Sequence, residues 1–89
     1  MISAVVLTHN DAPTVVRTLK SIGWADEIII IDDNSSDNTV ELSRPYITHA
    51  FTRSLAGDFA AQRNFGLSKV RGDWVLFVDS DETVSPALA

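Results

Sequence analysis

The feature that most constrains this chain is a run of four consecutive isoleucines, Ile28-Ile29-Ile30-Ile31, ending in two aspartates, Asp32-Asp33. β-Branched residues favour extended backbone, and a strand apolar at every position must be covered on both faces. Three further apolar runs have the same character: Ile2 to Thr8, Ile47 to Thr52 and Trp74 to Val78. Between the first two, Ala12, Val15, Val16, Leu19 and Ile22 recur at spacings of three and four, which marks a helix with one buried stripe. Asp11 and Pro13 suit its first turn, and Lys20 and Gly23 suit its end. A short helix is expected from about Asn38 to Ser43, stopped by Pro45. A third should start at Asp58, run to about Val70 and close at Arg71-Gly72, with a cation at the negative helix end and a glycine for a left-handed turn. The order β-α-β-α-β-α-β predicts an α/β domain with a mostly parallel sheet. All 89 residues fit one such domain.

In an open sheet of this kind, ligands bind beyond the carboxyl ends of the strands. The polar residues cluster there. Thr8-His9-Asn10 follows the first strand, Asp32-Asp33 the second, Arg53 the third, and Asp79-Ser80-Asp81-Glu82 the fourth. Adjacent carboxylates such as Asp32 and Asp33 repel unless a donor or cation lies near. The hydroxyls or base N–H groups of a nucleotide are such donors. Asp79 and Asp81, one residue apart, form a hard-oxygen pair suited to Mg²⁺ or Mn²⁺. A metal there would bridge phosphate oxygens and act as a Lewis acid. Arg53, Asp58, Gln62, Arg63 and Asn64 make a polar group from the third loop into the third helix, and Arg53 and Arg63 are the cations available to a diphosphate. Gly66 inside that helix costs about 1 kcal/mol relative to alanine, which a close backbone approach would justify.

Composition narrows the partners. With 12 acidic and 7 basic residues the net charge is −5, against the basic patch that bare nucleic acid requires. Cysteine is absent, which removes disulfides and thiolate zinc sites and fits a reducing compartment. No apolar stretch approaches the length of a membrane span. Neither Gly-x-Gly-x-x-Gly nor the Gly-x-x-x-x-Gly-Lys-Ser/Thr loop occurs, so a bound nucleotide would rest on strand-tip carboxylates and a metal.

Four segments together resemble the N-terminal half of the family 2 inverting glycosyltransferases, which have the GT-A fold. They are Val6-Leu7-Thr8-His9-Asn10, Ile30-Ile31-Asp32-Asp33-Asn34-Ser35-Ser36-Asp37-Asn38-Thr39, Gln62-Arg63-Asn64-Phe65-Gly66, and Gly72 through Glu82. Trp24 to Ile28 and Gly57-Asp58-Phe59 resemble the bacterial members that extend lipopolysaccharide core sugars. The resemblance implies transfer of a sugar from a nucleotide diphosphate donor, a UDP-sugar, to a saccharide or lipid-linked acceptor. It implies that Thr8, Asn10 and Asp33 line the nucleoside pocket, with Asp32 beside them. Arg53 would sit near base and phosphates, Asp79 nearer the ribose, and Asp81 on the metal. The general base and the acceptor-binding part would lie beyond Ala89, so residues 1–89 would be a donor-binding half without transfer activity of their own. The location implied is cytoplasmic, peripheral to the inner membrane face in a longer protein.

Two other readings fit parts of the chain. Asp79-Ser80-Asp81-Glu82-Thr83-Val84 also resembles the nucleophile motif of haloacid-dehalogenase-like phosphatases, though that leaves Asp32-Asp33 and Asn64 without a role. A non-catalytic nucleotide-binding module would use the same strand tips without chemistry.

Overall fold

A computed structural model of the chain describes residues 1–54 and 56–79, apart from the side chains of Phe59 and Asp79. Four strands, β1 (Ile2–Thr8), β2 (Glu27–Asp32), β3 (His49–Thr52) and β4 (Trp74–Asp79), alternate with helices α1 (Ala12–Ser21), α2 (Thr39–Ser43) and α3 (Phe59–Leu67). They form one sheet in the order β3-β2-β1-β4, and every pairing is parallel. The expected α/β class and element order are therefore present.

The two central strands separate two apolar layers. Ala4, Val6, Ile28 and Ile30 face Val15, Leu19 and Ile22 of the α1 segment. The alternate residues Val5, Ile29 and Ile31 face the other way, toward Phe65 and Val70 of the α3 segment. All six residues of β2 are buried, as a strand covered on both faces must be. At Gly66, α3 runs close against the sheet. A Cβ built there would lie 2.7 Å from Val5 Cγ1, far inside van der Waals contact.

Two boundaries differ from the sequence expectation, the start of the third strand and the end of the third helix, and the α1 cap comes from a distant residue. The α1 N-cap residue, Asp11, makes no side-chain cap bond to its own helix. Its Oδ2 accepts from His9 N instead, and Asp37 Oδ2 accepts from Ala12 N at 3.2 Å. The second helix ends at Ser43 as expected, and the chain then tightens into a 3-10 turn, Arg44–Tyr46, that holds Pro45. The third strand starts at His49, not Ile47. Thr48 Oγ1 there takes the Ile28 N–H at 3.1 Å, and Thr48 N donates to Ile28 O.

The third helix ends at Leu67 rather than near Val70. Ser68 Oγ donates to Phe65 O at 2.6 Å and Lys69 N to Gly66 O, closing the last turn. Arg71 and Gly72 lie beyond the helix and are tied to the sheet. Arg71 N donates to Glu27 Oε1, and Gly72 N to Ser3 Oγ. Gly72 is there because space is short, not to supply a left-handed turn. An added Cβ would sit 2.5 Å from Ser3 Oγ and 2.8 Å from Met1 O. Among the described residues no helix is long and apolar enough to cross a membrane.

Candidate donor site at the strand tips

The register sets the polar residues in a row. Thr8 lies opposite Asp32, Asp32 opposite Thr52, and Leu7 opposite Asp79. With strands spaced by about 4.8 Å, the carboxyl ends of β4, β1, β2 and β3 span roughly 14 Å. The acidic tips of β2 and β4 are thus separated only by β1.

Thr8 and Asp32 are spent on each other. Both are buried, and Thr8 Oγ1 donates to Asp32 Oδ1 at 2.6 Å. Asp32 also accepts from the backbone N and the hydroxyl of Ser35, at 2.8 and 2.6 Å. This carboxylate therefore shapes the loop after β2, and three donors balance its burial. Asn10 has a similar duty. Its φ of 51° is left-handed, a conformation asparagine tolerates better than most residues. Its Oδ1 accepts from Ser36 N at 2.7 Å, and its backbone N donates to Ser35 Oγ at 2.8 Å. The β1–α1 and β2–α2 loops are thereby stitched together. Ser35 was not singled out from the sequence. Its only signal there is its place in the Asp-Asp-Asn-Ser-Ser turn.

Asp33, next to the buried Asp32, is the more open of the pair. Its backbone N donates to Thr8 O at 2.8 Å, which carries the β1–β2 ladder one residue past the strand. His9 lies over it. Nδ1 is 2.5 Å from Asp33 O and 3.7 Å from Asp33 Oδ2. The hydrogen bond to the Asp33 carbonyl raises the His9 pKa above 6.5. Desolvation opposes this, and the charges of Asp33, Asp32 and Asp11 add to it. Asp37 is perturbed in the opposite direction. Its carboxyl is held below the usual range first by the Thr39 hydroxyl, then, against desolvation, by backbone N–H groups including those of Thr39 and Ala12.

Arg53 follows β3. Its backbone N donates to Asp32 O at 2.9 Å. Nη1 donates to Gln62 Oε1 at 2.9 Å, and the guanidinium carbon lies 5.5 Å from the centre of the Phe65 ring. Arg63 is exposed on α3, one residue past buried Gln62, and it is Gln62 that meets Arg53. The β4 ladder ends at Asp79, at the same end of the sheet. The Asp79 carboxylate and the whole of Asp81 lie outside the described residues. Among the described residues no group of three or more His, Cys, Asp or Glu side chains is placed to hold a metal. The expected ligand pair is thus not part of the geometry above.

A profile of glycosyl transferase family 2 matches residues 3–89. The chain belongs to that family. It is 32% identical over 88 residues to an uncharacterized glycosyltransferase of Rickettsia felis, covering 98% of this chain and 31% of that protein. It is 34% identical over 93 residues to the succinoglycan biosynthesis protein ExoO of Rhizobium meliloti, covering 96% of this chain and 26% of that one. The fold is similar to that of the mannosyltransferase PcManGT of Pyrobaculum calidifontis, solved in complex with GDP-Man and Mn²⁺. The TM-score is 0.78 at 24% identity, over 92% of this chain and 28% of that one. The fold is GT-A, and the chain spans about a third or less of these relatives. Family membership sets the phosphatase alternative aside.

Proposed function

We propose that this chain is the donor-binding half of an inverting, divalent-metal-dependent transferase that moves a sugar from a nucleotide diphosphate to a saccharide or lipid-linked acceptor. The observation that carries the reading is the row of polar residues at the carboxyl ends of four parallel strands, with Asp33 at its open side. Asp33 accepts hydroxyl or base N–H groups of the nucleoside. Thr8, Asn10 and Asp32 support it by fixing the two loops around it. Arg53 and Arg63 meet the negative diphosphate. Asp79 lies toward the ribose, and Asp81 with Asp79 holds Mg²⁺ or Mn²⁺. The metal, when bound, supplies positive charge to the departing diphosphate. A carboxylate in the remainder of a longer protein removes the acceptor proton, and attack opposite the leaving group inverts the anomeric carbon.

Two likenesses support the donor and polymer classes. The PcManGT structure holds GDP-Man with Mn²⁺, and ExoO acts in succinoglycan biosynthesis. The location proposed is cytoplasmic, peripheral to the inner membrane face in a longer protein. The test is calorimetric titration of the chain with UDP and, in parallel, GDP, with Mn²⁺ or with chelator. Binding that needs the metal and is lost in Asp81→Ala and Asp33→Ala is expected. Nucleotide binding indifferent to chelation and to both substitutions would refute it.

A further inference from the structure

Gln62 is the one buried side-chain amide of α3, 1% exposed, and both ends of that amide are committed to a single residue. Oε1 accepts from Arg53 Nη1 at 2.9 Å, while Nε2 donates to Arg53 O at 2.7 Å. Phe65, three residues on and on the same helix face, lies under the guanidinium at 5.5 Å. From below, Arg53 N is fixed to Asp32 O. An arginine at a loop start would ordinarily sample many rotamers. This one is held at its backbone, at one N–H and against one ring, beside the Asp32–Asp33 tip.

We infer that Gln62 is a positioning residue for the donor, holding the Arg53 guanidinium against α3 at the carboxyl end of the sheet so that its remaining N–H groups meet the nucleotide diphosphate. This rests on the donor-site reading above. A planar guanidinium offers five N–H groups in a fixed fork, and one of them is given to Gln62. Ordering the side chain before the ligand arrives removes an entropy cost from binding. A neutral amide suits the task, because it anchors the arginine without cancelling its charge. Shape alone would be met by an apolar side chain, which would leave the Arg53 carbonyl without the Nε2 donor.

The test is a double-mutant cycle read as UDP affinity in Mn²⁺ by calorimetry, with thermal melts recorded for every variant. Arg53→Ala should weaken UDP about tenfold, the size of one charge-assisted hydrogen bond. Gln62→Met, similar in length but without polar atoms, should weaken it by about threefold to tenfold in the native background and not at all in Arg53→Ala. Gln62→Glu keeps the acceptor facing Nη1 but sets a carboxylate against the guanidinium and loses the donor to Arg53 O, so it should weaken UDP about as much as Arg53→Ala and not further in the Arg53→Ala background. Native affinity in a folded Gln62→Met overturns the proposal, as does an equal loss with and without Arg53. Should Gln62→Met not fold, a folded Gln62→Glu with native affinity overturns it. Binding by the native chain that Arg53→Ala does not weaken overturns this proposal and leaves the donor reading in place. Absence of both UDP and GDP binding by the native chain removes both.

Discussion

Replacing Gly66 by alanine sets two known effects against each other. Helix propensity favours the change by about 1 kcal/mol, since glycine is the poorer helix former. Packing opposes it, because the new Cβ would meet Val5 Cγ1 at 2.7 Å, roughly 1 Å short of an ordinary carbon contact. Val5 cannot readily withdraw. It is fully buried, its strand is paired on both sides, and its second methyl is 3.6 Å from the same point. Ile31 Cγ1, also at 3.6 Å, closes another side. Overpacking of this kind costs about 1–3 kcal/mol, so the net expectation is a loss of up to about 2 kcal/mol. For a domain of this size that lowers Tm by several degrees, about 4–8 °C per kcal/mol. Since α3 also carries Gln62, pushing the helix outward should loosen its grip on Arg53. Urea and thermal unfolding followed by circular dichroism measure the effect. Gly23→Ala is the control: its Cβ would meet only Lys20 O, at 3.5 Å. A Gly66→Ala chain more stable than native by about 1 kcal/mol would show propensity winning and would refute the close approach.

Two further predictions concern the strand tips. Thr8→Val keeps the side-chain shape but removes the donor to buried Asp32; it should cost about 1.5–3 kcal/mol in urea unfolding, and a loss below 0.5 kcal/mol would show that this bond contributes little. His9 should titrate above 6.5 by NMR because its protonated form is held by the Asp33 carbonyl. The stability it lends is then fully present below pH 6.5 and is lost as pH rises through the raised value. A midpoint at or below 6.5 would contradict the observed contact.

Much of this protein was legible locally. The alternation of β-branched runs with three- and four-spaced apolar stripes suffices for the element order, because apolar periodicity reports which face a segment buries. Ile28 to Ile31 read as a strand covered on both sides, and a mostly parallel sheet follows from the helices between the strands. The same pattern locates the polar residues at strand ends. What it could not assign is the duty of each one. From sequence, Thr8, Asn10 and Asp33 read as lining a nucleoside pocket, with Asp32 beside them. In the fold, Thr8 and Asp32 lock together, Asn10 joins two loops and Asp33 is left the more open.

Those assignments depend on partners far apart in the chain: 24 residues from Thr8 to Asp32, 25 from Ala12 to Asp37, 69 from Ser3 to Gly72. Only strand register brings such pairs within hydrogen-bond reach, and no local propensity encodes which N–H will meet which oxygen. Hence the amino-acid order determined the layers, the sheet and the end at which a ligand would bind. The tertiary structure alone decided that Gln62 rather than Arg63 grips Arg53, that Asp37 caps α1, and that Gly72 is a glycine for want of space.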